Sequence, residues 1–301
     1  MPQIEIPSFP GSSTSPADGI SANVPTVLPG PESPEVLPCS LPEFVPGEAS
    51  PPSSLLVNGH EVVPRKCSTV SVLYLFAGKQ RQGDLRSHLE ILCTNSNVTL
   101  TLTELDIQRK PEDDLTSEEM WDKLINSIRL KKWTVVILSP PCETFSRARC
   151  NNNGPPPLRS KRYPWGFPWL QGQDKKKVDE GNFFIRKSIE AIQVVRQVGS
   201  FYLLEHPEDL GKHRTGKLAK RNSFPASIWQ LDGILAFAND GDFYGALFQC
   251  YLGADLSGPT RIIGNLKGLD QWVRHQGPPT FKDDGEYLGP LPAYCGHNIA
   301  L

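Results

Sequence analysis

Apolar and polar positions change rhythm several times between residues 69 and 266, and each rhythm predicts an element. TVSVLYLFAG (69–78) is a β-rich apolar run that ends in Gly78, with polar residues behind it. RSHLEILC (86–93) has its apolar residues at helical spacing. VTLTLTELDI (98–107) alternates and is rich in β-branched residues, as a strand is. TSEEMWDKLINSIRL (116–130) opens with a capping hydroxyl at Thr116 or Ser117, then acids, then apolar residues at helical spacing. WTVVILS (133–139) is the short continuous run of a buried strand, stopped by Pro140 and Pro141. Residues 147–175, rich in Gly, Pro, Arg and Trp, read as a long loop. GNFFIRKSIEAIQVVRQVG (181–199) predicts a helix ended by Gly199, and SFYLLEHP (200–207) a second buried strand stopped by proline. DFYGALFQCYLG (242–253) and TRIIGNL (260–266) predict two later strands.

This alternation of strand and helix predicts an α/β fold: a mostly parallel, doubly wound sheet with helices on both faces. Ligands of such sheets bind outside the carboxyl ends of the strands. Phe76-Ala77-Gly78, Glu104 with Asp106, Pro140-Pro141-Cys142 and Glu205-His206-Pro207 all stand there. A turn glycine, acids and a thiol are therefore expected on one rim.

Composition divides the chain. Residues 1–64 hold 14 of the 29 prolines, seven acids and no Lys or Arg. Such a segment buries too little apolar surface to offset its ordering entropy and is expected to be a disordered acidic tail. Its charge of −7 within a total of −2 leaves +5 on residues 65–301, a mildly basic domain that permits nucleic acid as a partner. No window is apolar enough to span a membrane, and no secretion signal opens the chain. The seven cysteines are scattered without CxxC spacing, which argues against a disulfide framework and against a zinc or other metal site. The expected compartment is reducing and intracellular, the nucleus or the cytosol, and the domain is expected to be monomeric.

Cys142 follows two prolines at a strand end, where it is either a packed inert thiol or a nucleophile. Arg147 and Arg149 are the nearby cations expected to help ionise it. Glu205 follows four apolar or aromatic residues, so burial should raise its pKa and let it hold a proton. Its alternative is a cap or a salt bridge. His206 more often packs than catalyses. The stretch FAGKQRQGDL (76–85) is neither a dinucleotide fingerprint nor a P-loop.

Together these residues resemble the S-adenosylmethionine-dependent cytosine-C5 DNA methyltransferases. YLFAG is similar to their first motif, SPPCETFSRAR to their Pro-Cys nucleophile motif, LLEHP to their Glu-Asn-Val motif and GPTRIIGNL to their late Pro-Thr-Arg strand. The match runs over roughly residues 70–270. The resemblance implies a Rossmann-like class I methyltransferase fold and S-adenosylmethionine as cofactor. Phe76, Ala77, Gly78 and Pro140 would frame the cofactor, Glu104 or Asp106 would take its ribose, and Asp114 its adenine. It implies that Cys142 attacks C6 of an extruded cytosine while Glu205 bonds the N3/N4 edge. Arg159, Lys161 and Arg162, with Trp165 and Trp169, would contact the nucleic acid, DNA favoured over RNA. Departures are Lys79-Gln80-Arg81-Gln82 in the glycine turn, Glu143 after the cysteine, and His206-Pro207 after the glutamate. About 50 residues between Glu205 and Pro259 leave no room for a separate target-recognition domain.

Two other readings stay open. The fold could serve as a catalytically inactive module that binds nucleic acid or a protein partner. It could also methylate an amino group, although Cys142 cannot stack on a base as the aromatic residue of those enzymes does.

Overall fold

The computed structural model describes residues 68–151, 153–213, 218, 223–254, 257–293 and 295. The acidic tail expected over 1–64 lies outside them. Strand β1 (Ser68–Leu75) leads through α1 (Leu85–Asn95) to β2 (Val98–Leu105). Then α2 (Glu118–Arg129) leads to β3 (Val135–Leu138), and α3 (Gly172–Val198) to β4 (Phe201–Pro207). Next come α4 (Asp232–Asn239), β5 (Phe243–Phe248), β6 (Pro259–Gly264), α5 (Leu269–Trp272) and β7 (His275–Gln276). A small hairpin, β8 (Thr280–Phe281) with β9 (Tyr287–Gly289), follows.

One seven-stranded sheet has the order β2-β1-β3-β4-β6-β5-β7. The pairs among β2, β1, β3 and β4 are parallel, whereas β6 runs antiparallel to both β4 and β5, and β7 antiparallel to β5. The mostly parallel α/β sheet expected from the alternation is therefore present, with β6 inserted against the grain between β4 and β5. That insertion sets Thr260 opposite Pro207 and Ile262 opposite Glu205.

The connections β1–β2 and β2–β3 step in opposite directions across the sheet, so right-handed crossovers put α1 and α2 on opposite faces. One face is densely built. Leu73, Leu75, Val136, Leu138, Tyr202 and Leu204 pack there against Trp121 and Ile128 of α2, Ile185 and Ile192 of α3, and Phe237 of α4. Each such side chain contributes about 2–3 kcal/mol by leaving water. Trp121 is fully buried, and its indole N–H donates to the Leu115 carbonyl at 2.7 Å, so its polar atom is satisfied. The opposite face is thinner: α1 has no buried residue, and Tyr74, Ile137, Leu203 and Glu205 are only half-buried.

One helix boundary falls where the sequence placed it, and one differs from the expectation. Ser117, not Thr116, caps α2 by accepting from the Met120 amide, while Thr116 bonds Asp114. Helix α3 starts at Gly172, well before the expected start at 181, because its first turns are polar and held by pairs such as Lys175–Asp179.

Candidate active site

Two clusters occupy the carboxyl ends of the strands. The first is built on β3 and β4, which pair in register with Leu138 opposite Leu204. Just beyond, Pro140 and Pro141 end the strand, and the chain turns at Cys142, whose carbonyl accepts from the Phe145 amide at 2.9 Å. The residues after the cysteine anchor this turn. Phe145 is buried edge-on against His206, with centroids 5.7 Å apart. Thr144 accepts from Arg159 at 3.1 Å, and Ser146 caps the short turn Arg147–Cys150. The Thr-Phe-Ser triplet thus fixes where the thiol stands.

Cys142 and Glu205 share an electrostatic environment. Burial pushes the Cys142 thiol above its ordinary value, and the nearby Glu205 and Glu143 carboxylates push it further. Burial also raises Glu205, against the hydrogen bonds of Ser139 and Thr260 that favour its charged form. The Thr260 hydroxyl donates to Glu205 Oε1 at 3.4 Å and accepts from Gln249 Nε2 at 2.9 Å, which leaves its own proton directed at the glutamate. Ser139 also hydrogen-bonds Tyr74. A raised Glu205 was expected from its apolar run. Thr260 and Gln249 were not assigned to it, because strand order, not sequence distance, makes that contact.

The two arginines expected to activate the thiol do something else. Arg147 donates to the carbonyls of Gly211 at 2.7 Å and Lys212 at 3.4 Å. Arg149 is buried and donates to the Glu143 and Pro156 carbonyls and to Glu143 Oε1 at 3.0 Å. Both tie loops together, and neither offsets the upward pressure on Cys142. Arg159 is likewise corrected. It is 2% exposed and donates to Thr144, Pro164, Asn182 and Val178 while lying 4.1 Å over the Phe145 ring. Four of its five N–H groups are engaged, and its burial withdraws it from a phosphate. Lys161 and Arg162, by contrast, are exposed. Beside them Phe167 and Trp169 stack at 4.8 Å, with Trp169 59% exposed, and border an apolar cavity of about 280 Å³. His206 is buried between Phe145 and Trp229, and burial pushes it down to about 3, so it is a neutral packing residue.

The second cluster surrounds the turn after β1. The amides of Phe76 and Ala77 donate to the Leu105 carbonyl at 2.9 and 3.3 Å. Phe76 sits at φ +62°, a left-handed conformation that costs a non-glycine residue about 1–2 kcal/mol. Its ring is buried against Trp121 and Phe184, so it faces the core and not a ligand, contrary to expectation. Gly78 has φ +66° and open space where a side chain would begin. Its amide donates to Asp106 Oδ2 at 2.9 Å, while Asp106 Oδ1 accepts from Gln108 at 2.8 Å. Asp106 therefore closes this turn instead of presenting itself to a ribose. The Glu104 carboxylate is 3% exposed and paired to Arg86 at 2.7 Å and Arg109 at 2.9 Å. Asp114 accepts from the Thr116 amide and hydroxyl, which hold it below the usual carboxylate range. Its neighbour Asp113 instead lines a polar cavity of about 570 Å³ with Glu104, Arg86, Arg109 and Gln108. Nothing in an Asp-Asp pair says which member points inward.

Among the described residues no group of three or more His, Cys, Asp or Glu side chains could hold a metal ion, and no helix is long and apolar enough to cross a membrane. No protein-family model matches the chain, and no curated protein matches it.

Proposed function

We propose that the domain is a DNA (cytosine-5-)-methyltransferase-like enzyme that transfers a methyl group to C5 of cytosine in nucleic acid, DNA favoured. One observation carries this reading: Cys142 and Glu205 stand at adjacent strand ends, and among the described residues no cation pairs with the largely desolvated carboxyl group of Glu205. An acid whose pKa burial raises can carry a proton to cytosine N3 while the sulfur of Cys142, as thiolate, adds to C6. The addition makes C5 nucleophilic. After C5 is methylated, its proton passes to solvent water, the thiolate departs and restores the ring, and the N3 proton returns to Glu205. The raised thiol, which no nearby arginine helps to ionise, gives up its proton to solvent as the sulfur adds to C6.

S-adenosylmethionine, when bound, supplies the methyl group as an electrophile. Gly78, with open space above it, suits the close approach of such a ligand. Glu104 fits its ribose, because Oε1 is buried without a hydrogen-bond partner. Lys161, Arg162 and the Phe167–Trp169 stack would contact the phosphates and a neighbouring base. This reading implies a monomer acting where nucleic acid is found, in the nucleus or the cytosol. The test is base analysis of DNA and RNA incubated with the full chain and methyl-labelled cofactor. 5-Methylcytosine is expected, and Cys142→Ser should abolish it. Transfer that survives the substitution, or a product methylated on an amino group, would reject the mechanism.

The pairing of Glu104 with two arginines favours a second reading, in which the fold no longer takes a cofactor and binds nucleic acid or a protein partner. Salt-dependent DNA binding without cofactor binding or methyl transfer would select it.

A further inference from the structure

We propose that Arg109 gates the nucleoside site and sets its specificity, holding it closed on Glu104 and opening it by moving to Asp84. The inference rests on the cofactor reading above. Two guanidinium groups converge on one oxygen of Glu104: Arg86 Nε lies 2.7 Å and Arg109 Nη1 2.9 Å from Oε2. The other oxygen, Oε1, is buried and has no hydrogen-bond partner. A buried acceptor left without a donor is unfavourable, so a hydroxyl delivered there would be stabilising. Arg109 stands in the way. Its Nε donates to the Gly78 carbonyl at 2.7 Å and its Nη2 to the Ala77 carbonyl at 3.4 Å, across the turn a ligand must approach.

Asp84 supplies the second seat. Its Oδ2 lies 3.6 Å from Arg109 Nη2 and is also buried without a hydrogen-bond partner. Its Oδ1 is engaged separately, capping α1 through the Ser87 amide at 3.2 Å. A short movement of one guanidinium thus exchanges one buried carboxylate for another without unpairing the charge. In the closed state Glu104 Oε1 and Asp84 Oδ2 both lack donors. With Arg109 on Asp84 and a ligand hydroxyl on Glu104, both are satisfied. A ligand shifts such an equilibrium only by its differential contacts with the two states, so the hydroxyl is what opens the gate. A ribonucleoside ligand has that hydroxyl, and its deoxy analogue is rejected.

The test is calorimetric titration of the full chain with S-adenosylhomocysteine, together with hydrogen exchange over residues 77–84 of the unliganded protein. Arg109→Ala should bind about tenfold tighter than the unaltered chain, within the range of ordinary coupling between sites. Asp84→Asn should bind about fivefold weaker, because asparagine keeps the cap but not the charged seat. Arg109→Ala should also speed exchange over 77–84 without ligand. Tighter binding with faster exchange supports the gate. Exchange that is unchanged, or binding weaker than the unaltered chain, overturns it. If exchange quickens and no variant binds, Arg109 ties the turn but the cofactor reading fails and takes the gate with it; binding that persists with unchanged exchange rejects the gate alone. Should Arg109→Ala not fold, Arg109→Lys replaces it with the same expectations, since lysine cannot span Glu104 and both carbonyls at once.

Discussion

Glu104 and Glu205 are both acids near the carboxyl ends of parallel strands, both withdrawn from water, yet their surroundings differ in kind. Glu104 is the last residue but one of β2 and receives two guanidinium groups on one oxygen. Glu205 lies near the end of β4 and receives hydroxyls alone, from Thr260 and Ser139. The difference shows that burial does not decide what a carboxyl group does. A guanidinium partner makes a buried carboxyl group a tie between loops, whereas desolvation without a cation raises its pKa and favours its carrying a proton. The first arrangement suits a gate and the second suits an acid catalyst.

The comparison breaks first at Glu205. Glu205→Gln should lower methyl transfer roughly a hundred- to a thousandfold in a single-turnover assay, the usual contribution of a positioned acid. Glu104→Gln should leave no comparable chemical defect but should destabilise the fold by about 2–3 kcal/mol in urea unfolding, because two guanidinium groups lose their shared anion. Equal effects of the two substitutions on both assays would erase the distinction.

A smaller effect sharpens the contrast through pH. The folded pKa of Glu205 is raised, so whatever stability its protonated form provides is fully present below the unfolded carboxylate value and is lost as pH rises through the raised folded value. Glu205→Gln should therefore stabilise the protein by about 1 kcal/mol at pH 8, with the gain fading as pH falls through the raised folded value and gone by the ordinary carboxylate value. A gain independent of pH would show that Glu205 does not titrate in this range.

The smallest expected effect concerns the loop cations. Lys161→Ala and Arg162→Ala should each reduce the salt dependence of DNA binding by about one unit of log–log slope. Arg159→Ala should lower stability and leave that slope unchanged, because its guanidinium already serves four side-chain and backbone acceptors. A slope that falls with Arg159 as with Lys161 would contradict the buried placement.

Much of the scaffold was legible because buried parallel strands leave continuous apolar runs, and prolines mark where β3 and β4 stop. The rim holding Cys142 and Glu205 could be read from those stops. The direction of β6 could not, since an apolar run is the same whichever way it crosses the sheet, and that direction is what delivers Thr260 to Glu205. The early turns of α3 hid behind polar residues that carry no apolar phase. Proximity in sequence misassigned Arg147, Arg149 and Arg159, whose partners are carbonyls and side chains brought together by loop packing. Arg109 carried no signal at all, because its contacts with Ala77, Gly78 and Asp84 come from the turn beside β1.

The most direct measurement of the central claim is intact-mass and peptide analysis of the full chain after incubation with cofactor and an oligonucleotide bearing 5-fluorocytosine. Fluorine at C5 cannot leave as a proton does, so a sulfur–C6 adduct formed on the way to methylation should persist. The account predicts a covalent complex attached through Cys142 and absent from Cys142→Ser. An attachment elsewhere, or turnover on ordinary cytosine with no trapped complex, would contradict it.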